Sequence, residues 1–303
     1  MKYIDKYRKA YGKQFNKEML WDIALRNKSR SKEWKIVEMA NENFWGADPF
    51  LVEYRSNIYL FYERFDRKKG IGEIAVSTVN DDLTTSNEVR VLSRPYHLSF
   101  PYVFEYKNQY YMIPETGTSQ TIEVYKSTEF PYAWELHKTI LTNLKAVDTI
   151  VLDAYDSGLT LHTSITDSDA CSVENWLIWL DSDFNYIKKK KVKNSSEYGN
   201  RNAGKPLTKN QNIFRLGQDC RNGEYGTGLV AYLIEGENEE EIKYIGLNEL
   251  SIVGSKYSGT HTYNTCGQIE TIDLRFLKRK NFLEKVQFLI VLGGNYVKRR
   301  IHR

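Results

Sequence analysis

The sequence contains little cysteine and no long apolar run, and both shortages exclude classes of protein. Its 303 residues include three cysteines, Cys171, Cys220 and Cys266. Their odd number and wide spacing fit neither a disulfide framework nor the paired ligands of a structural metal site. No segment reaches the roughly 18 consecutive apolar residues that a membrane-spanning helix requires. The first 13 residues also lack the apolar core of a secretory signal, so we expect a cytoplasmic protein.

Proline is also scarce, whereas tyrosine is abundant, with 6 prolines against 22 tyrosines. Together with 41% hydrophobic residues and a mean hydropathy of −0.56, this composition is typical of a soluble, strand-rich protein. The net charge of +4 comes from the C-terminal end, where nine Lys or Arg residues between Arg275 and Arg303 accompany one acid, Glu284. A basic tail without a basic stripe across the body argues against nucleic-acid binding. We expect residues 277–303 to form a tail that either contacts the inner face of a membrane or ends in a last packing strand with a solvated basic end.

An internal repeat organises the chain. Residues Asp48–Glu63 match Phe100–Glu115 at an offset of 52 without a gap, and each segment contains a strand, a polar turn and a second strand. The proline, tyrosine and glutamate positions correspond, so that Glu63 aligns with Glu115. Weaker copies of the same hairpin follow, and the five hairpins lie at 48–63, 100–115, 148–163, 203–219 and 261–273.

Each hairpin is accompanied by further strand-like runs, which gives about four short strands per unit. Such units, repeated five times, predict an all-β fold: a five-bladed β-propeller with four-stranded blades over residues 1–276. An open sandwich also has regularly spaced strands, but it does not explain an ungapped self-match. We expect short helices only near the termini, at Met1–Tyr11 and Asn281–Leu292. Because the inner strands of all blades line one channel, the propeller would bring together Asp48, Ser99, Asp148, Arg201 and His261.

Three acidic residues are candidates for catalysis at the mouth of that channel. Asp48 precedes Pro49, which favours an extended backbone and a fixed side-chain direction, although an Asp before Pro also commonly caps a turn. Asp148 lies in an otherwise apolar strand, where a charge is costly unless it contacts water or a partner. Glu115 ends a hydrophobic strand, an environment that suits a general acid, but its alignment with Glu63 equally indicates a structural position.

Other residues are candidates for ligand binding. Arg201 and Arg215 offer planar groups to a carboxylate or phosphate, although Arg215 could instead form a salt bridge between blades. Gln218 and Asp219 can bind sugar hydroxyls, and Trp45 can stack on a sugar ring. The set is completed by Ser99, His97 and His261. These histidines and carboxylates lack the spacing of a known metal motif, so we expect neither a metal nor another cofactor.

The residues around these candidates resemble two groups of proteins. Ala47-Asp48-Pro49 and the strand at Asp148 resemble the five-bladed glycoside hydrolases of family 43, and this resemblance implies a base at Asp48 and a second functional Asp at Asp148. Those hydrolases take their acid from a Glu at the start of the inner strand of blade four, where this chain has Arg201. A closer resemblance, over about residues 20–275, is to the N-terminal propeller domain of plant glucosamine inositolphosphorylceramide transferases. It rests on the segments LSFPYVFE at 98–105, YMIPE at 111–115, RNAG at 201–204, QDC at 218–220 and YG at 225–226.

The residues and the resemblance leave two functions open. One is an enzyme that acts on a glycosidic bond in surface-polysaccharide or glycoconjugate synthesis, with Asp48 as base or nucleophile, Glu115 as acid and Asp148 tuning the acid. Arginines in the pit would extend this reaction from hydrolysis to phosphorolysis or to transfer from a phosphorylated donor. The other is a non-catalytic propeller that binds a glycan or a sugar phosphate as a scaffold, which the missing acid of blade four favours. No sequence feature indicates an oligomeric state.

Overall fold

The strands predicted from the repeat form five antiparallel sheets of four strands each. The computed structural model describes residues 16–166, 173–193, 198–221, 224–252, 256–282 and 284–286. Each sheet is one blade, and the molecule is a five-bladed β-propeller. The predicted fold class is therefore confirmed. The helical structure of the described residues includes a 3-10 turn at Gly117–Ser119 and a short helical turn after Asn281.

The strands follow the order of the chain, except that the first two belong to the last blade. These two are β1 (Lys17–Asn27) and β2 (Lys35–Ile36). Blade one contains β3 (Phe44–Tyr54), β4 (Asn57–Asp66), β5 (Ile71–Val79) and β6 (Thr85–Leu92), and blade two contains β7 (Ser99–Tyr106), β8 (Gln109–Glu115), β9 (Thr121–Glu129) and β10 (Ala133–Thr142). Blade three contains β11 (Ala146–Tyr155), β12 (Gly158–Ile165), β13 (Glu174–Asp181) and β14 (Tyr186–Lys191), and blade four contains β15 (Leu207–Lys209), β16 (Asn212–Gln218), β17 (Leu229–Glu235) and β18 (Asn238–Ile245). Blade five contains β19 (Tyr263–Cys266) and β20 (Ile269–Arg279), followed by β1 and β2.

Blade five joins the two ends of the propeller. Strand β1 pairs with β20 along its whole length, from Lys17 opposite Arg279 to Asn27 opposite Ile269. The repeat does not predict this closure, because the two strands are separated by almost the whole chain. The pairing continues to Arg279, so the last strand crosses residue 276, where the sequence analysis places the end of the propeller.

The predicted terminal helices lie only partly within the described residues. Met1–Tyr11 lies outside them, as does most of the segment Asn281–Leu292. At the start of that second segment, Asn281 Oδ1 accepts a hydrogen bond from the N–H of Glu284 at 2.9 Å, and Glu284 Oε2 accepts one from the N–H of Asn281 at 2.8 Å. This reciprocal pattern caps the first turn of a helix. Within the described part of the chain, no helix is long and apolar enough to cross a membrane.

The core lies between neighbouring blades. Phe50 of β3 packs edge-on against Phe100 of blade two, with ring centroids 4.9 Å apart. The hydroxyl of Tyr102 in blade two donates to the carbonyl of Val151 in blade three at 3.0 Å. The largest apolar cluster runs through blades one, two and three. Because aromatic side chains bury large areas with few rotatable bonds, these contacts hold the inner strands in fixed positions.

The inner strands of blades one, two and three share a distortion near their starts. The pairing register shifts at this point in each of β3, β7 and β11, as in a β-bulge. The bulged residues Asp48, Phe100 and Asp148 have φ values of 49°, 45° and 48°. A positive φ is unusual for residues other than glycine, and bulges redirect side chains near functional sites. Phe100, and not Ser99, is therefore the residue of blade two equivalent to Asp48, as the offset of 52 residues also requires.

Candidate functional site

Polar side chains from all five blades meet at the starts of the inner strands. We call this group the central pit, and it consists of Asp48, Glu63, Glu115, Asp148, Arg201, Gln218, His261 and Asp273. The bulges place Asp48 and Asp148 there, and the last residues of β8 and β16 contribute Glu115 and Gln218. The structure thus brings the predicted catalytic residues into one neighbourhood.

Asp48 connects three blades. Its side chain is buried, and both carboxylate oxygens accept hydrogen bonds, Oδ2 from the N–H of Phe100 at 3.1 Å and Oδ1 from the hydroxyl of Thr262 at 2.8 Å. The N–H of Asp48 in turn donates to Asp273 Oδ2 at 3.1 Å. Burial raises the pKa of Asp48; the nearby His261 opposes this shift, and Asp273 reinforces it. Asp48 is therefore a clasp between blades one, two and five as well as a titratable group of the pit.

His261 lies between two carboxyl groups. Its Nε2 is 3.5 Å from Asp48 Oδ1, its Nδ1 is 2.6 Å from Asp273 Oδ2, and its ring stacks on Trp21 with centroids 3.9 Å apart. Burial alone would lower the pKa of His261, but Asp273 and Asp48 outweigh it and the net pKa is raised. The three side chains lie close enough to hold a metal ion. Asp273 already accepts N–H bonds from Asp48, His261 and Thr262, so hydrogen bonds and charge are sufficient to explain the cluster.

Arg201 links blades two and three from the fourth-blade side of the pit. Its Nε donates to Asp148 Oδ2 at 2.5 Å, and its Nη2 donates to Glu115 Oε2 at 3.0 Å. Gln218 Nε2 donates to the same oxygen of Asp148 at 3.1 Å. Burial raises the pKa of Asp148 to about 7, although Arg201 counteracts the shift. The guanidinium of Arg201 therefore binds two carboxyl groups from different blades, those of Asp148 and Glu115.

Glu63 is one of two acidic residues of the pit, with Asp273, that sequence reasoning did not select as functional. Strand β4 places it opposite Ala47, beside the bulge of Asp48, and β8 places Glu115 at the matching position of blade two. Its side chain is 6% exposed, and Oε1 has no hydrogen-bond partner among the described residues. Burial raises the pKa of Glu63 well above its ordinary value, and the neighbouring carboxyl groups, Asp48 first, add to the shift. The alignment of Glu63 with Glu115 was the signal that could have identified it.

His97 and Trp45, two of the predicted ligand-binding residues, are only partly buried. The His97 side chain is 31% exposed; its Nδ1 accepts the N–H of Gly72 at 2.9 Å, and its Nε2 lies 3.5 Å from Glu63 Oε1. The hydrogen bond to Nδ1 leaves the proton of the neutral imidazole on Nε2. Burial lowers the pKa of His97, which favours this neutral form. Trp45 is half-buried and stacks on Phe65, with ring centroids 4.4 Å apart.

Arg215 does not belong to the pit. It is fully buried and donates two hydrogen bonds to Glu239, at 2.6 Å and 2.9 Å, and Glu239 Oε1 lies 2.7 Å from His162 Nε2 in blade three. We call Arg215, Glu239 and His162 the blade-four cluster. Because Glu239 and backbone carbonyls occupy its guanidinium, the assignment of Arg215 to a ligand does not fit the geometry. The cluster instead connects blades three and four, as the alternative of a salt bridge between blades suggested.

Asp219 and Ser99 are also buried. Asp219 Oδ2 accepts a hydrogen bond from the hydroxyl of Thr227 at 2.7 Å, and its carboxylate lies 3.0 Å from the guanidinium of Arg221. These contacts hold the turn that leads into β17. Ser99 pairs with Glu115 at the start of blade two, so it lies beside the pit.

The fold and the pit define a class of protein: a five-bladed propeller with carboxyl groups from several blades converging at one end of its channel. Residues 33–287 match the family model described as glucosamine inositolphosphorylceramide transferase 1, N-terminal. Because this match covers most of the chain, the protein belongs to that family.

Named relatives of the chain come from plants. A glucosamine inositolphosphorylceramide transferase 1 of Oryza sativa subsp. japonica is 30% identical over 216 residues, which are 67% of this chain and 28% of the relative. The protein of the same name from Arabidopsis thaliana is 29% identical over 267 residues, which are 84% of this chain and 34% of the relative. The chain therefore spans about a third of the length of these relatives.

Solved structures with the same fold have little sequence similarity to this chain. A beta-1,2-mannobiose phosphorylase from Listeria innocua superposes with a TM-score of 0.55 at 9% identity, covering 84% of this chain and 95% of the phosphorylase. A family 117 glycoside hydrolase from Zobellia galactanivorans superposes with a TM-score of 0.54 at 13% identity, covering 84% of this chain and 90% of the hydrolase. At these identities the similarity is one of fold alone.

Proposed function

We propose that this propeller is carbohydrate-active, and that its central pit binds a glycosyl group and acts on a glycosidic bond in the synthesis of a glycoconjugate or surface polysaccharide. The observation that carries the proposal is the convergence of Glu63, Glu115 and Asp148 around Arg201. Chemistry at a glycosidic bond requires a carboxylic acid and a carboxylate within reach of the same bond. The names of the relatives and structural neighbours, which refer to glycosyl transfer, phosphorolysis and glycoside hydrolysis, support this class of ligand.

The charge of the pit indicates which sugars it would accept. A single guanidinium, that of Arg201, lies among several carboxyl groups, and two of those groups already share it. The carboxyl groups are those of Asp48, Glu63, Glu115, Asp148 and Asp273. Because the carboxyl groups of Glu115 and Asp148 both engage Arg201, its guanidinium is not available to a phosphate, so we infer a neutral or amine-bearing sugar in preference to the sugar phosphate that Arg201 suggested from the sequence. Glucosamine, for which the family is named, carries such an amine.

The contacts of Arg201 also change the roles that the sequence suggested. Glu115 accepts a hydrogen bond from Arg201, and a carboxylate held in this way suits a base or nucleophile better than a proton donor. The Glu115 side chain is 14% exposed, whereas both carboxylate oxygens of Asp48 are engaged in hydrogen bonds between blades. We therefore assign the base or nucleophile to Glu115. Asp48 acts as a clasp, and Asp148 keeps the tuning role predicted for it.

The test is turnover of nitrophenyl glycosides, a glucosaminide included, with and without inorganic phosphate and a sugar acceptor. We expect at least one of them to release nitrophenol, and Glu115→Gln to reduce the rate by about 100-fold or more. The matched control is Glu123→Gln in the same blade, because Glu123 accepts hydrogen bonds from Tyr96 and Tyr125 and has no contact with the pit residues. Equal rates in the wild type and Glu115→Gln would refute the assigned role. If no glycoside released nitrophenol, the proposed enzymatic activity would be wrong.

The clasp formed by Asp48 favours a second function, in which the propeller binds a glycan without turnover. Its two engaged oxygens fit a structural role, and the relatives extend well beyond the matched third of their length, where their transferase activity could lie. Such a scaffold would bind sugars in calorimetry and release no product. Trp45→Ala would then weaken binding, because Trp45 offers a partly exposed ring three residues before Asp48. The cytoplasmic location and the membrane contact of the basic tail also remain proposals.

A further inference from the structure

The proposed function requires a proton donor, and the residues selected from the sequence do not supply one. Glu115 is bound to Arg201, and the side chain of Asp148 is only 1% exposed and accepts hydrogen bonds from Arg201 and Gln218. We propose that Glu63 of blade one is the proton donor of the central pit. This inference rests on the proposed function and names the acid that it lacks.

The surroundings of Glu63 suit a neutral carboxylic acid. Its Oε1 is buried without a hydrogen-bond partner among the described residues, and a carboxylate in that position would be strongly disfavoured. A Cβ at position 72 would lie 2.6 Å from Glu63 Oε1 and 2.7 Å from His97 Cε1, so Gly72 is what leaves room for both side chains. Burial and the neighbouring carboxyl groups raise the pKa of Glu63 well above its ordinary value, in agreement with this geometry.

Glu63 shares the pit with Glu115, whose contact with Arg201 favours the ionised carboxylate. Glu63 and Glu115 occupy matching positions in adjacent blades. Of these two glutamates, only Glu115 accepts a hydrogen bond from Arg201. Two carboxyl groups whose environments favour opposite protonation states are the arrangement that acid–base catalysis at a glycosidic bond requires. The repeat therefore supplied two equivalent glutamates, and a single arginine distinguishes them.

His97 would support the donor after the proton has left. Its Nδ1 accepts the N–H of Gly72, so that Nε2 carries the proton, and Nε2 lies 3.5 Å from Glu63 Oε1. That distance is too long for a good hydrogen bond to the neutral acid, but a small approach would stabilise the carboxylate that remains. The His97 side chain is 31% exposed, which gives solvent protons access to the pair.

The proposed step balances with water as the co-reactant in the simplest case, hydrolysis. The Glu63 hydroxyl transfers its proton to the glycosidic oxygen, the bond from that oxygen to the anomeric carbon breaks, and its electron pair stays with the leaving alcohol. A water oxygen forms the new bond to the anomeric carbon, and its released proton goes to the Glu115 carboxylate. In a transfer reaction, the hydroxyl of an acceptor sugar replaces the water.

The test uses the dependence of the rate on the leaving group. On a sugar that the wild type cleaves, phenyl and dinitrophenyl glycosides are compared in the wild type and in Glu63→Gln. A dinitrophenolate leaves without a proton, whereas a phenolate needs one. We expect Glu63→Gln to lose about 100-fold or more on the phenyl glycoside and less than about 10-fold on the dinitrophenyl glycoside. A loss caused by misfolding would affect both substrates equally and would contradict the donor role.

Two further measurements distinguish a wrong donor assignment from a wrong proposed function. Glu123→Gln, the control with the same change in blade two, should retain wild-type rates on both glycosides. The infrared difference spectrum between the wild type and Glu63→Gln at neutral pH should show the band of a protonated carboxyl group. If the wild type is active and Glu63→Gln cleaves the phenyl glycoside equally well, or if the band is missing, the donor assignment is wrong and the proposed function stands. If the wild type cleaves no glycoside, the proposed function fails, and the donor role fails with it.

Discussion

Two buried carboxyl groups of the propeller, Glu239 in the blade-four cluster and Glu63 in the central pit, have pKa values shifted in opposite directions. In the blade-four cluster, burial alone would raise the pKa of Glu239, but Arg215 and His162 hold it below its ordinary range. In the central pit, Glu63 is buried to a similar degree, no cation contacts it through a hydrogen bond, and its pKa is raised. The comparison shows that burial alone does not decide the protonation state of a carboxyl group. The charges and hydrogen bonds around the group decide it together with burial.

The same comparison separates structure from function. The blade-four cluster balances its acid with a bidentate arginine, and each partner is at most 1% exposed, as expected for a closed structural contact. The pit has more carboxyl groups than cations, and its members Glu115 and Arg201 remain 14% and 11% exposed. Carboxyl groups with shifted pKa values at a partly open site are where function is usually found.

The largest expected effect is the loss of folding stability when the blade-four cluster is broken. Arg215→Met would leave the Glu239 carboxylate buried with only the neutral partners His162 and Asn175, and we expect it to lower the free energy of unfolding by about 3–5 kcal/mol. The matched control is Lys191→Met, because Lys191 and Glu174 form an ion pair of 2.7 Å whose side chains are 53% and 56% exposed. The control should lose less than about 1 kcal/mol in urea denaturation. Equal losses in the two variants would show that the blade-four cluster is not a structural contact.

The two sites should differ in the direction in which their contributions to folding stability change with pH. The pKa of Asp148 is raised from 3.8 to about 7, so at this group the folded state binds more protons than the unfolded state between these values, and the contribution of Asp148 to stability falls as pH rises. Asp148→Asn cannot titrate, and its stability relative to the wild type should increase by about 2 kcal/mol between about pH 4 and about pH 6. Urea denaturation at several pH values measures this change.

In the same experiment, the contribution of Glu239 to stability should change with pH in the opposite direction. The pKa of Glu239 is lowered from 4.5 by Arg215 and His162 against the effect of burial, so its stabilising contribution is present above that value and is lost as pH falls. The deficit of Glu239→Gln should therefore shrink toward acid pH. If both variants showed the same trend with pH, the contrast between the two sites would be wrong.

The fold was predictable because its repeat is local. Asp48–Glu63 and Phe100–Glu115 preserve their spacing, and each hairpin pairs residues that are close in the chain. The closure by β1 was not predictable, because nothing in Lys17–Asn27 identifies β20 as its partner across the length of the chain. The bulges were hidden for another reason: a positive φ at Phe100 depends on tertiary contacts that override the preference of the residue itself.

The site was only partly predictable. Asp148 was found as a charge in an apolar strand, and Asp273, between the buried Ile272 and Leu274, carries the same signal. The repeat draws its catalytic candidates mainly from the first strand of each hairpin, whereas Asp273 lies in the second strand of its own. Arg215 was placed in the pit because a sequence cannot indicate that β18 supplies an acid to it. The choice between Glu63 and Glu115 could not be made at all, since it depends on which of the two contacts Arg201.

The smallest expected effect is the sharpest test of the contrast between Glu63 and Glu239. A protonated carboxyl group and an amide have nearly the same shape and no charge, so Glu63→Gln should change the free energy of unfolding at neutral pH by less than about 1 kcal/mol. Glu239→Gln makes the same covalent change but removes a charge that Arg215 contacts through two hydrogen bonds, and it should cost several times more. A loss in Glu63→Gln as large as that in Glu239→Gln would mean that Glu63 is ionised and paired, and the pit would then hold no neutral acid at this position.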